Sequence, residues 1–322
     1  MPAPVDAVWH RHRMANRQQT ALLIAALLGI SALAGHLLFG TTGMLLALAA
    51  SIASLFIEPQ AASALTLRLY RARPIHPLEA PELWALVREL SARAGLPAVP
   101  TPHYVPSAIV NAFATGSRRQ AAIALTDGLL QALTPRELAG VIAHEVAHIA
   151  HGDLRVMGLA DYVSRLTSLF ALVGQVAILV SLPSLLLHGV EPNWSGLVLL
   201  AVSPHLALLA QLGLSRVREF DADQTAARLT GDPRGLACAL AKIERISRSW
   251  RAWLLPGWGN PEPSWLRTHP ATEERIARLL ELVPDAASGP RPEPFHGPGL
   301  VVVNVPGPVR QAPRWHSGGL WY

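Results

Sequence analysis

His144 and His148 stand four residues apart, and Glu145 follows the first of them directly. On a helix that spacing puts both imidazoles on one face, close enough to share a single metal ion. Two histidines and a carboxylate suit zinc best among the divalent ions. Glu145 then reaches a water activated by the metal and serves as its general base. The chemistry implied is hydrolysis, and it requires a third ligand.

His151 is not expected to be that ligand. It lies seven residues beyond His144, a rise of about 10.5 Å on a continuous helix, whereas zinc–nitrogen bonds are only about 2.1 Å long. The candidate is Glu219, in the run Ser215-Arg216-Val217-Arg218-Glu219-Phe220-Asp221-Ala222-Asp223. Ser215 can cap a helix running to about Gly231, on which Glu219 and Asp223 share a face. One of these carboxylates can bind metal while the other accepts the second ring N–H of a ligating histidine. Taken alone, beside Arg216 and Arg218, the pair reads as a solvated acidic face. The histidine pair upstream makes Glu219 the expected ligand and Asp223 its support.

The histidines need a rigid helix. Thr134-Pro135-Arg136-Glu137 reads as an N-cap threonine, a first-turn proline and a glutamate closing a capping box. Leu138, Val141, Ile142 and Ile149 supply an apolar side, and Gly152 a stop. A helix over 79–94 (Leu83, Leu86, Val87, Leu90) and short strands at Tyr104-Val105, Ile109-Val110 and Ala121–Thr126 come before it, with a turn at Gly116–Arg119. Further helices at 215–230, 234–247 and 272–282 complete an α+β domain. Residues 108–115 could offer a free strand edge on which an extended substrate adds as a strand, with Asn111, Ala112 and Phe113 at the contact. An ordinary turn-forming asparagine is the alternative for Asn111.

The chain has 322 residues, 51% hydrophobic and only 15% charged, a balance that points to membrane spans. Apolar runs at 21–39 and 43–57 read as a hairpin turning at Gly40-Thr41-Thr42; a cleaved signal peptide is the rival for the first run. A second apolar pair, 166–187 and 197–214, is interrupted by Gln175, Pro183, Pro204, His205 and Gln211. It reads as another hairpin, or else as a helical pair lying on the membrane surface. Arginines precede and follow both pairs, which puts the catalytic residues on the cytoplasmic side by the positive-inside rule. Of the 27 basic residues only Lys242 is lysine, and they are scattered, so nucleic-acid binding is not expected. The single cysteine, Cys238, is expected in the core.

Four motifs in order resemble the HtpX-type membrane zinc metalloproteases, relatives of the CAAX-prenyl endopeptidases: residues 111–116 (NAFATG), 144–153 (HEVAHIAHGD), 218–223 (REFDAD) and Thr268-His269-Pro270 followed by ATEERIARL. The resemblance covers roughly residues 20–283. It implies a gluzincin-like α+β protease domain with two membrane hairpins, about four transmembrane helices, and one zinc per chain on His144, His148 and Glu219. It also implies Glu145 as the base, and His269 as a donor to the oxyanion, where a structural histidine is the alternative.

The division expected is a basic cytoplasmic leader at 1–20, a hairpin at 21–58, catalytic parts at 59–153 and 215–283 flanking a second hairpin at 154–214, and a Pro/Gly-rich tail at 284–322. The function implied is cleavage of unfolded or membrane proteins from the inner (plasma) membrane, in quality control. A CAAX-type processing protease and a non-catalytic zinc-containing membrane adaptor are the alternatives.

Overall fold

The computed structural model describes residues 4–54, 60–188, 194–251 and 272–283. His269, expected near the oxyanion, and the tail from 284 onward lie outside the described residues.

Helix α1 (Pro4–Ser54) contains a break at Phe39 and Gly40, where Gly40 takes φ +63°. A Cβ added at Gly35 would lie 2.6 Å from the carbonyl oxygen of Gly43. Eight residues of straight helix span about 12 Å, so the chain folds back here and its two apolar arms pack at their glycines. The first arm runs unbroken through the leader: residues 4–20 are part of α1 rather than a separate segment.

After α2 (Gln60–Leu69) and the short strand β1 (Arg73–Pro74) comes α3 (Pro81–Arg93), which buries Leu83, Leu86, Val87 and Leu90. Strands β2 (Thr101–Val105), β3 (Ala112–Gly116) and β4 (Ala121–Thr126) complete a sheet of order β1-β2-β4-β3. The β2–β4 pair is parallel; the other two pairs are antiparallel. The strand expected at Ile109-Val110 begins instead at Ala112, in register Ala112↔Leu125 through Gly116↔Ala121. Gly116 turns the hairpin at φ +100°, a conformation that favours glycine.

The turn α4 (Asp127–Ala132) leads to α5 (Pro135–His151), which carries both histidines. Thr134 and Glu137 close the capping box reciprocally, an N-cap worth about 1 kcal/mol. Nearly every residue from Leu138 to Ile149 is buried, in a core with Leu86, Leu90, Ile123 and Leu125. Gly140 lets the backbone of α8 (Pro233–Arg251) come close: a Cβ there would sit 3.0 Å from the Leu236 Cα. Helix α9 (Thr272–Glu281) closes the domain.

Two long helices link this domain to the apolar bundle. Helix α6 (Asp153–His188) starts directly after the left-handed Gly152, and α7 (Trp194–Thr230) runs 37 residues without interruption. Ser215, expected to cap a new helix, is buried inside α7 instead. Gly231, at φ +67°, follows its end. Among the described residues, three helices, including the folded α1, are long and apolar enough to cross a membrane. They bury Leu27, Val163, Ala207 and Leu214 against one another while Leu22, Leu45, Leu172, Leu179, Val198 and Leu209 face outward. Leucines on the outside of a bundle whose interior holds small residues fit a lipid-facing surface. His36 and His205 are exposed on these helices.

Candidate metal centre

Helix α5 presents His144 and His148 one turn apart, and α7 brings Glu219 to them. Their ligand atoms lie within 4.8 Å of one another. The two Nε2 atoms face each other at 3.0 Å, and the Glu219 oxygens stand 3.4 Å from His144 Nε2 and 3.6 Å from His148 Nε2. Two ligands on a tetrahedral zinc ion with bonds of ~2.0–2.1 Å would be ~3.3 Å apart. The three residues therefore fit a small divalent ion.

Each imidazole is held from behind. Asp223 Oδ1 lies 2.9 Å from His144 Nδ1, and Asp153 Oδ2 lies 2.7 Å from His148 Nδ1. With Nδ1 of His148 donating to Asp153, and Nδ1 of His144 close beside Asp223, each neutral ring points a lone pair from Nε2. Two such lone pairs at 3.0 Å require a cation between them, either a proton or a metal ion. Burial works to lower both histidine pKa values, but the carboxylates outweigh it: His144 is raised, and His148 lies well above the ordinary imidazole value.

The surrounding charge has the same sense. Glu145, Asp153, Glu219, Asp221 and Asp223 are all buried carboxylates. Among the described residues two guanidinium groups answer them. Arg275 on α9 donates to both oxygens of Asp223, at 2.6 and 2.7 Å, and lies 3.0 Å from Glu219 Oε2. Burial opposes its charge, yet Asp223 and Glu219 hold its pKa above the usual arginine value, with Glu145 adding to the effect. Burial likewise raises the Asp223 pKa, and Arg275 together with His144 brings it below the usual aspartate value. Arg218 bonds Asp153 at 2.6 Å and Asp221 at 3.1 Å. Among the described residues the buried carboxylates outnumber the guanidinium groups, an enclosure suited to a cation.

The expected residues are thus only partly gathered. His144, Glu145, His148, Glu219 and Asp223 stand together. His151 points elsewhere, to the Thr225 hydroxyl at 3.1 Å. Strand β3 lies at the end of the sheet, paired only with β4 among the described residues, and packs beside α5. Asn111 is half-buried at its head, with its main-chain N–H and carbonyl both bonded to Thr126 Oγ1. Phe113 is 1% exposed and packs on Tyr70 at the sheet's other face, so it could offer a substrate only its backbone. Ala112 packs at the border of the main core.

Four participants escaped the sequence reading: Asp153, Arg218, Asp221 and Arg275. Arg218, read as a membrane flank, is instead held in buried ion pairs. The signal for Asp153 was present, because a left-handed Gly152 after the helix turns the next residue back toward His148. Cys238, expected in the core, is exposed on α8.

Comparison with known proteins agrees with this geometry. The family model for peptidase family M48 matches residues 77–283. The chain is 33% identical over 290 residues to a Protease HtpX homolog of Methylibium petroleiphilum, covering 84% of this chain and 99% of that one. It is 34% identical over 289 residues to the Protease HtpX homolog of Burkholderia ambifaria, covering 84% and 98%. The crystal structure of S. mikatae Ste24p aligns with a TM-score of 0.45 at 19% identity, covering 84% of this chain and 66% of that chain, a likeness too loose to carry an argument.

Proposed function

The chain belongs to peptidase family M48, and from that premise we propose a membrane-integrated zinc endopeptidase in which Glu145 is the general base. The observation that carries this reading is the convergence of His144 Nε2, His148 Nε2 and Glu219, with each Nδ1 fixed by an aspartate. His144, His148 and Glu219 would hold the zinc, which when bound supplies a Lewis acid and brings the pKa of a water to about 7.

The remaining work falls to the chain itself. Glu145, one residue after the first ligand, accepts a proton from the attacking water and delivers it to the leaving amine nitrogen. The substrate lies extended along the edge of β3 at Asn111–Phe113 that no described strand covers, held through main-chain hydrogen bonds. His269 donates to the developing oxyanion. A site kept only for structure would have no use for a buried carboxylate at position 145, which weighs against the adaptor alternative.

Substrates of this reading are unfolded or misassembled membrane proteins, handled in quality control. The catalytic face is cytoplasmic and the membrane is the inner one. Support comes from charge: the Asn16–Asp221 and Asp153–Arg218 contacts place Arg17, Arg155 and Arg216 at one end of the bundle, and positive flanks stay inside. A membrane-impermeant maleimide should therefore modify the exposed Cys238 only after the cells are opened. Modification in intact cells would reverse the orientation.

The central test compares full-length wild type with Glu145→Gln in detergent, on an unfolded protein substrate with a chelator control. The substitution should lower kcat by about 100-fold or more and leave zinc content unchanged. Equal cleavage by both proteins would rule out Glu145 as the base.

A further inference from the structure

We propose that helix α2 docks on the anionic headgroups of the bilayer and thereby holds the edge of β3 at the membrane surface. This rests on the reading of α1 as a membrane-inserted hairpin. The helix has two faces. Leu67 and Tyr70 turn inward to pack with Val105, Phe113 and Ala124, and the Tyr70 and Phe113 ring centroids lie 5.1 Å apart. Leu65, Arg68 and Leu69, at helical spacings of three and four, stand on the opposite side and are exposed. The two leucines are 58% and 63% exposed. Leucine beside arginine on an outer face suits a helix lying in the headgroup layer, with its apolar side chains inserted and its charges at the phosphates.

The charge on this face is not answered within the fold. Arg73, a few residues on, bonds Glu79 at 2.9 Å and lies over the Tyr104 ring. No carboxylate among the described residues pairs with Arg68 or Arg71. Arg71 also stands where another residue would fit better. The Ala72 N–H donates to the Leu67 carbonyl at 2.8 Å, and the Arg71 N–H to the Arg68 carbonyl at 3.0 Å. These are the paired bonds that end a helix through a left-handed residue. That residue is Arg71, at φ +51°, the one non-glycine residue with positive φ among those described. Gly95, Gly152 and Gly231 take the corresponding place after α3, α5 and α7. An arginine standing where glycine adopts the backbone more freely contributes through its side chain.

Position selects the membrane as the occupant. Asn16 of α1 meets Asp221 at the metal-site end of the bundle. The chain reverses at Gly40, so the second arm returns Ser54 toward that end. Only residues 55–59 separate Ser54 from the start of α2, a reach of at most about 22 Å. The apolar and basic face is thus tethered near the headgroup layer that the spans cross. Each basic residue beside an anionic surface strengthens association about fivefold. Because α2 packs on Phe113, docking it sets the β3 edge against the membrane, within reach of substrate segments as they emerge from the bilayer.

The experiment uses the full-length protein with Cys238→Ser and Leu65→Cys, the new thiol carrying an environment-sensitive fluorophore. It is reconstituted into phosphatidylcholine vesicles with and without phosphatidylglycerol, and quenchers attached near the lipid headgroups report contact with the label. Quenching should rise with phosphatidylglycerol and fall as salt is raised. Arg68→Gln and Arg71→Gly should each lower the docked-to-undocked ratio about fivefold in the anionic vesicles.

Arg71→Gly separates lipid contact from folding. Glycine accepts the left-handed backbone, so docking should weaken without loss of thermal stability. A marked fall in Tm would mean that the arginine serves the fold and would overturn its role at the lipid. Equal quenching in neutral and anionic vesicles, or no effect of either substitution, would overturn the docking surface itself. Failure of the wild type to float with vesicles would instead sink the membrane reading on which it rests.

Discussion

The two Nε2 lone pairs are held face to face by aspartates behind them, so the residues are committed to a cation before one arrives. In the metal-free protein the proton takes that place. Burial acts to lower the His148 pKa, but Asp153 and Glu219 prevail and hold it well above the ordinary 6.5. A raised pKa means that the proton stays bound at a pH where a free imidazole has released it. Proton and metal compete for the same atoms, so metal affinity should go on rising as pH climbs past neutrality. Calorimetric titration with zinc in buffers of different ionisation enthalpy would detect proton release there; its absence would mean the imidazoles are already neutral. At this scale the ligands were legible, because side chains on one helix face have a fixed spacing. Arg218 and Arg275 were not: whether an arginine is solvated or buried against carboxylates depends on which helix packs over it.

Elements follow the same division. The capping box at Thr134 and Glu137, the apolar stripe of α3 and the turn at Gly116 are local, and the sequence places each of them. The strand expected at Ile109-Val110 begins later because β-pairing is decided by a partner. Val110 is buried in the main core, so apolar character there marks packing rather than membership of a strand. Ser215 failed for a related reason. A serine ahead of a charged run is a sound cap signal, but nothing local says whether the preceding apolar helix has ended. Here it has not, and Ser215 is buried within α7. The basic leader is continuous with the first apolar run from Pro4 onward, and α1 buries Asn16 against Asp221.

For the whole molecule, composition announced the membrane, and the folded α1 together with α6 and α7 supplies four apolar arms. The assembly has one further property. Because α7 passes from bundle to metal site without a break, it acts as a lever with one end in the lipid. Glu219 lies about 9 Å along the axis from Gly213, so a tilt of about 10° pivoting there swings it through roughly 1.5 Å. Displacements near 1 Å can cost about 100-fold in rate. Bilayer thickness, which sets the tilt of long helices, thereby becomes a variable of the chemistry. Reconstituted into vesicles of short-chain and long-chain lipids, the enzyme should show different kcat at equal metal content. Equal kcat would mean that α7 yields at Pro204, the proline within its apolar half, and isolates the site from the membrane that carries it.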